Sequence, residues 1–151
     1  PLREGLKSIK KANVIVINGK KNDFFEKKIL EVSKKVAIFY SNYEPINIDE
    51  FKNKKILAFA GIGNPENFFQ MLEENKIEIQ KKIIFPDHYE FSKNEIEKII
   101  GEASEKKLIP LTSEKDYFRI KKLKMKNINY IKVRLKINEE DNFLKKIYDL
   151  I

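Results

Sequence analysis

Residues 58–69, with the sequence AFAGIGNPENFF, decide the fold, because they pass from an apolar strand through a glycine turn into a helix. The run 54–60 is short and hydrophobic, as expected for a strand buried within a sheet. Asn64 followed by Pro65 is typical of a helix start, where Asn caps the helix and proline occupies the first turn. A strand joined to a helix in this way is the unit from which parallel α/β sheets are built.

The same alternation continues through the whole chain. Short runs rich in Val, Ile and Phe predict strands at 13–18, 35–40, 54–60, 77–85, 107–111 and 128–137. Helical spacing between them predicts helices at 23–33, 65–75, 92–104, 113–123 and 139–151. The predicted fold class is α/β, with a mostly parallel, Rossmann-like sheet covered by helices on both faces. We expect the last two strand runs to pair antiparallel at an edge or to reach into a linker.

Local signals mark several helix starts. Ser92 with Glu95 three residues later has the spacing of a capping box. Thr112 or Ser113 can cap the following helix, and Asn138 is predicted to cap the last one. With 151 residues the chain fits a single α/β domain over 1–151, in which residues 128–151 complete the fold.

Composition limits the function classes. The chain has no cysteine, which excludes disulfides, thiolate metal sites and a cysteine nucleophile. No run approaches the roughly 18 apolar residues of a membrane span, so the sequence predicts a soluble chain. Lys and Arg total 31 against 23 Asp and Glu, and this net charge of +8 favours an anionic partner. The excess is mostly scattered lysine, which is more typical of solvated faces than of a nucleic-acid-binding stripe.

One pair of residues carries candidate acid–base chemistry. Asp87 and His88 follow a predicted strand, and His88 is the sole histidine of the sequence. The unperturbed pKa of a histidine side chain lies near neutral pH, and a neighbouring carboxylate can orient the ring or share its proton. A lone histidine is more often structural, so the pair by itself leaves both interpretations open.

Three further loops follow predicted strands. They contain Asn18, then Gly61, Gly63 and Asn64, and then Thr112 with Glu114. Since ligands of doubly wound sheets gather at the carboxyl ends of strands, these loops and the Asp-His pair predict one site. Each loop also has a structural alternative. The glycines can serve a phosphate or only a tight turn, and Asn18 can contact a base or adopt a left-handed turn.

Five motifs in register point to a family. In order they are PLRE at 1–4, VIVING at 14–19, the segment 58–69, FPDHY at 85–89 and LTSEKDY at 111–117. The set resembles the C-terminal half of tetraacyldisaccharide 4'-kinase, the lipid A kinase of Gram-negative bacteria, and the resemblance runs nearly from end to end. It implies a P-loop kinase-type fold. The chain starts at Pro1 without methionine and has no phosphate-binding loop, so we expect it to be part of a longer kinase whose N-terminal half is missing.

The resemblance also implies a reaction. The ATP γ-phosphoryl group would pass to the 4'-hydroxyl of tetraacyldisaccharide 1-phosphate, an anionic lipid at the cytoplasmic face of the inner membrane, with Mg²⁺ as cofactor. His88 would assist a catalytic aspartate upstream of Pro1, with Asp87 beside it. The family motif commonly reads Asp-His-His, so Tyr89 departs from it.

Other site residues follow from the same resemblance. Arg3 would neutralise phosphate charge and Glu4 would help to hold Mg²⁺. Thr112, Glu114, Lys115 and Asp116 would line or buttress the nucleotide cleft. The segment 112–116 also fits a capped helix start with acidic residues in its first turn, and Lys115 between two acids also fits a surface ion pair. The competing interpretation is a stand-alone α/β module that binds nucleotide or nucleic acid without catalysis.

Overall fold

The computed structural model describes residues 5–151, which form seven strands, five α-helices and three short 3-10 helices. The strands and α-helices in chain order are β1 (Val14–Asn18), α1 (Asp23–Val32), β2 (Ala37–Pro45), β3 (Lys55–Ala60), α2 (Pro65–Glu74), β4 (Glu78–Ile84), α3 (Lys93–Glu105), β5 (Ile109–Ser113), α4 (Glu114–Ile120), β6 (Asn129–Ile131), β7 (Val133–Ile137) and α5 (Glu140–Tyr148). The 3-10 helices span Leu6–Lys11, Ile48–Phe51 and Lys121–Leu123. The predicted α/β class is therefore confirmed.

The larger sheet has four parallel strands in the order β4-β3-β5-β6. Strand β3 is central, and all its residues from Ile56 to Ala60 are buried. Alternate side chains of a strand point to opposite faces, so its continuous apolar sequence fits a strand covered on both sides. Ile56, Ala58 and Ala60 belong to the core cluster that contains residues of α2, whereas Leu57 and Phe59 belong to the cluster with residues of α3.

A smaller sheet has the order β1-β2-β7. Strands β1 and β2 are parallel, with Val14 opposite Ala37 and Asn18 opposite Ser41. Phe39 of β2 packs edge-to-face against Phe143 of α5, with 5.3 Å between ring centroids. In the part of the chain that the structure describes, no helix is long and apolar enough to cross a membrane.

The chain divides into two compact units, one for each sheet. One unit combines the chain up to Glu44 with Arg134–Ile151, and the other comprises Pro45–Val133. The alternation of strands and helices did not indicate this division. The single domain predicted over 1–151, completed by residues 128–151, stays a prediction.

The predicted pairing of the last two strand runs was wrong. Strand β5 is parallel and lies between β3 and β6, not at an edge. The run 128–137 is two strands that belong to different sheets and are separated at Lys132. The Lys132 amide donates to Asn47 Oδ1 at 2.8 Å instead of to a strand, which ends the first ladder there.

Most of the predicted helix caps are confirmed. Asn64 Oδ1 accepts from the Asn67 amide, and Ser92 forms the capping box with Glu95. Ser113 caps α4 through the Asp116 amide. Asn138 was the wrong choice for α5, whose N-terminal flanking residue is Glu139 in the left-handed conformation without a side-chain cap.

Helices α2 and α3 end in the same backbone motif. The Ile77 amide donates to the Leu72 carbonyl and the Leu108 amide to the Ala103 carbonyl, which are the long bonds of a Schellman motif. The residue that turns the chain in each case is a lysine at positive φ, 61° for Lys76 and 55° for Lys107. Glycine adopts this conformation without strain from a Cβ atom.

Replacing Lys107 by glycine should therefore stabilise the protein, by about 0.5–1 kcal/mol. The free energy of unfolding from urea denaturation measures the change. Lys98→Gly is the matched control, because Lys98 is exposed inside α3 and glycine there should cost about 1 kcal/mol. A loss of stability in Lys107→Gly would contradict the prediction.

Candidate functional site

Two loops and the start of a helix meet at the carboxyl edge of the larger sheet. They follow the neighbouring strands β4, β3 and β5, and they bring together His88, Gly61 and the first turns of α4. The Gly61 amide donates to Asp116 Oδ2 at 2.9 Å, and Arg119 Nη2 lies 3.1 Å from His88 Nδ1. Groups of the loops after β3 and β4 and of α4 thus form one hydrogen-bonded network.

Asp116 is the centre of this network, and it is fully buried. Its Oδ2 accepts from the Gly61 amide at 2.9 Å and from the Ser113 hydroxyl at 2.8 Å. Its Oδ1 accepts from Arg119 Nη1 at 3.0 Å. A buried carboxylate needs such partners, and removing its ion-pair partner typically costs 3–5 kcal/mol.

Arg119 connects the buried acid to the surface. Its Nη1 donates both to Asp116 and to the Gly61 carbonyl, the latter at 2.9 Å, and its Nη2 faces His88. A guanidinium group only donates hydrogen bonds, so Nδ1 of His88 is the acceptor in this contact. In the neutral ring the proton is then on Nε2.

His88 lies in a strained but supported loop. Its φ of 60° is left-handed, a conformation uncommon for residues other than glycine. Asp87 supports this turn, since its Oδ1 accepts from the His88 amide at 2.8 Å. Nε2 of His88 and Oδ2 of Asp87 are 3.8 Å apart, too far for a hydrogen bond. Asp87 therefore holds the His88 backbone, and Arg119 holds the ring.

Tyr89, which departs from the Asp-His-His pattern, anchors the same loop. Its ring packs between Phe85 and Phe91, with centroid distances of 4.8 and 5.3 Å. Its hydroxyl donates to Glu95, a bond that raises the pKa of Tyr89. Hydrogen bonds to the Glu95 carboxylate lower its pKa to about 2, and the bond from the Ser92 hydroxyl has a larger effect than the bond from the Tyr89 hydroxyl. The loop is thus tied to the capping box of α3.

The two glycines have different surroundings. A Cβ atom on Gly61 would lie 3.2 Å from Tyr89 Cβ and 3.3 Å from Phe85 Cβ, both parts of the His88 loop. A Cβ atom on Gly63 would lie 3.1 Å from Asp87 Oδ2. The absence of side chains lets the loop after β3 pack closely against the loop after β4. A phosphate-binding role for either glycine stays a prediction.

The other predicted site residues lie at several places. Thr112 is fully buried and donates to the Phe59 carbonyl at 2.7 Å, which joins β5 to β3 near their carboxyl ends. Glu114 and Lys115 are in the first turn of α4, where Lys115 is exposed. Asn64 is the cap of α2. Asn18 ends β1 in the other unit.

Arg3 and Glu4 lie outside the described residues. Among residues 5–151, no group of three or more acidic, histidine or cysteine side chains is arranged to hold a metal ion.

Sequence reasoning missed Arg119 and gave Asp116 only a general role in the cleft. One signal was present, because Arg3, Arg119 and Arg134 are the sole arginines among 31 basic residues. Arginine differs from lysine in its planar fork of donors, so a rare arginine three residues after an aspartate indicates a specific hydrogen-bonding duty.

The comparisons with known proteins agree with this arrangement of motifs. The family model described as tetraacyldisaccharide-1-P 4'-kinase (LpxK) matches residues 1–151. The chain belongs to this family. A tetraacyldisaccharide 4'-kinase of Pelagibacter ubique is 35% identical over 153 residues, covering 99% of this chain and 49% of the relative. One of Flavobacterium psychrophilum is 32% identical and covers 99% of this chain and 48% of the relative.

A solved structure shows the same fold. It is the "apo" form of LpxK from Aquifex aeolicus in complex with ATP, which matches 98% of this chain and 45% of its own with a TM-score of 0.60 and 24% identity. The chain thus spans about half the length of the curated relatives it matches. Membership of the kinase family is established by the sequence match, and the fold by both comparisons.

Gly61→Ala should destabilise the protein by roughly 1–3 kcal/mol, because the new methyl group meets two Cβ atoms that no rotamer change can move. Gly101→Ala is the matched control, since a Cβ atom there meets nothing within 4 Å and alanine favours helix α3 by up to about 1 kcal/mol. Urea denaturation of both variants checks the pair. An unchanged midpoint for Gly61→Ala would refute the packing role.

Glu95→Gln should lower stability at neutral pH and should lose this effect in acid. The folded-state pKa of Glu95 is below its ordinary value of 4.5, so its carboxylate contributes stability above pH 4.5 that is lost as the pH falls to about 2. Thermal unfolding of both proteins between pH 7 and pH 2 measures the difference. Glu97→Gln controls for the loss of one exposed charge from α3. A difference that stays constant over this range contradicts the assignment.

Proposed function

We propose that the native protein transfers the γ-phosphoryl group of ATP to the 4'-hydroxyl of tetraacyldisaccharide 1-phosphate and so forms lipid IVA in lipid A biosynthesis. The observation that carries the proposal is the family match over the whole chain. The hydroxyl loses its proton to a base, its oxygen forms a bond to the γ-phosphorus, and the bond from that phosphorus to the bridging oxygen of ADP breaks.

His88 has the acid–base role in this proposal. It assists a catalytic aspartate that this sequence does not contain, by donating a hydrogen bond that orients the carboxylate toward the substrate hydroxyl. The network supports the role, because Arg119 occupies Nδ1 and leaves the proton on Nε2. Asp87 contributes through the backbone of the His88 turn.

The nucleotide would be held by the loops at the ends of the strands. Gly63 and Asn64 precede α2, whose N-terminus favours negative charge, and Gly61 positions that loop. The exposed Lys115 can reach a phosphate, with Thr112 and Glu114 at the same edge. Asn18 would contact the base. ATP as the ligand is supported by the solved LpxK relative, which is described as an ATP complex.

The remaining parts of the proposal involve groups beyond the described residues. Arg3 would stabilise phosphate charge, and Glu4 would help to hold Mg²⁺, which would supply further neutralisation of charge on the transferring group. The rest of the kinase would supply the phosphate-binding loop. The anionic lipid substrate places the enzyme at the cytoplasmic surface of the inner membrane, where each well-placed Lys or Arg adds about 1 kcal/mol of attraction.

His88→Ala in the native polypeptide should lower kcat by about 10²–10⁴-fold with little change in the KM for ATP, because acid–base assistance acts on the reaction step. The measurement is the ATP-dependent phosphorylation of tetraacyldisaccharide 1-phosphate, followed by mass spectrometry. His88→Asn should lose as much activity, and it separates chemistry from loop distortion because asparagine tolerates the left-handed conformation.

Lys98→Ala on the exposed side of α3 is the control and should keep full turnover. Phosphorylation at the wild-type rate by both His88 variants would contradict the catalytic role. A native protein that binds nucleotide but never phosphorylates the lipid would instead be the stand-alone binding module.

A further inference from the structure

The exposed ring of His88 is positioned by a hydrogen bond and not by packing. The His88 side chain is 73% exposed, so packing does not select its rotamer. Its backbone is fixed by Asp87, but that bond leaves the ring free to rotate about its side-chain torsions. The contact that defines the ring direction is the one between Nδ1 and Arg119 Nη2, at 3.1 Å.

Arg119 is itself held by hydrogen bonds at its other terminal nitrogen, Nη1. Its Nη1 is bonded to Asp116 Oδ1 and to the Gly61 carbonyl, at 3.0 and 2.9 Å. The guanidinium group is planar, so two bonds at Nη1 also fix the direction of Nη2. Asp116 cannot shift to follow another arrangement, because it is fully buried and its Oδ2 is bonded to the Gly61 amide and the Ser113 hydroxyl.

We propose that Arg119 is a positioning residue of the kinase, which holds His88 by Nδ1 so that Nε2 presents its proton to the catalytic carboxylate. The inference rests on the proposed function of His88 and extends it to a residue that acts through the His88 ring. Asp116 and Gly61 aim the guanidinium group, Arg119 sets the tautomer and direction of the ring, and His88 acts on the carboxylate.

A structural role alone would also make Arg119 important, because it neutralises a buried acid. Lysine separates the two roles. It keeps the positive charge beside Asp116, but a single ammonium group lacks the planar fork that serves Asp116, Gly61 and His88 together. Arg119→Lys should therefore retain the fold and lose the positioning.

The experiment is a double-mutant cycle in the native full-length polypeptide, with kcat and KM measured for Arg119→Lys, His88→Ala and the double variant. Arg119→Lys should lower kcat by on the order of 10–100-fold at unchanged KM, as expected for a misplaced group. The double variant should be no slower than His88→Ala, because the effect of Arg119 passes through the His88 ring. Losses that multiply would overturn the proposal, and so would wild-type turnover in Arg119→Lys.

Arg134→Lys is the matched control. Arg134 donates to Glu44 from an exposed position, at 3.1 Å from Nε and 2.9 Å from Nη2, so the same chemical change there should leave kcat unaltered. Thermal unfolding of each variant reports whether it is folded.

Ring ¹⁵N resonances of His88 give a readout that does not need activity. They can be assigned by their loss in His88→Asn. The wild-type protein should show the Nε2–H tautomer with Nδ1 bonded to a cationic donor, and Arg119→Lys should move the Nδ1 signal toward that of a water-bonded imidazole. A water-bonded Nδ1 in the wild type overturns the proposal even if Arg119→Lys fails to fold.

The two proposals fail in different ways. If His88→Ala keeps full turnover, the proposed role of His88 in the kinase fails, whatever the ring resonances show. If His88→Ala is inactive and Arg119→Lys is normal, the kinase role stands and the positioning role of Arg119 is refuted.

Discussion

The buried carboxylate of Asp116 is the charge on which this end of the larger sheet depends. An ionised group without water must be matched by donors, and here the donors come from the loop after β3, the cap of α4 and the second turn of α4. Each donor is thereby fixed relative to the others. Because the buried Asp116 carboxylate needs these donors, it joins segments that are more than fifty residues apart along the chain, such as those of Gly61 and Asp116.

The same coupling explains how a solvent-exposed histidine acquires a defined orientation. Asp87 stabilises the left-handed turn of His88, and Tyr89 fastens the following residue to an aromatic cluster and to Glu95. Neither bond reaches the His88 ring, which Arg119 alone contacts among the described hydrogen bonds. The backbone and the ring of His88 are therefore held by separate groups. Tyr89 has a structural role in this loop, because its ring packs against Phe85 and its hydroxyl donates to Glu95.

Local signals predicted much of the fold but not the grouping of its strands. Asn64, Ser92 and Ser113 cap helices as their sequence contexts indicated, because a cap needs partners only three residues away. The break at Lys132 depends on Asn47, 85 residues earlier, and no local pattern reports such a contact. In the same way, Asp87 and His88 were found as a motif, whereas Arg119 is 31 residues from the ring that it contacts. Asp116 fitted the acidic first turn of a helix, an interpretation that explains its charge but not its complete burial.

All three donors to Asp116 belong to this chain, so folding itself contributes free energy that arranges Arg119 and His88. Groups that are oriented before the reaction need no reorganisation at the moment of proton transfer, and this is the main route by which polar sites accelerate reactions. A lysine at position 119 would satisfy the buried acid as a point charge, yet it would leave the His88 ring without the contact that orients it. In a chain with so few arginines, the fork of Arg119 is thus best explained by its two-sided contact with a buried acid and an exposed histidine.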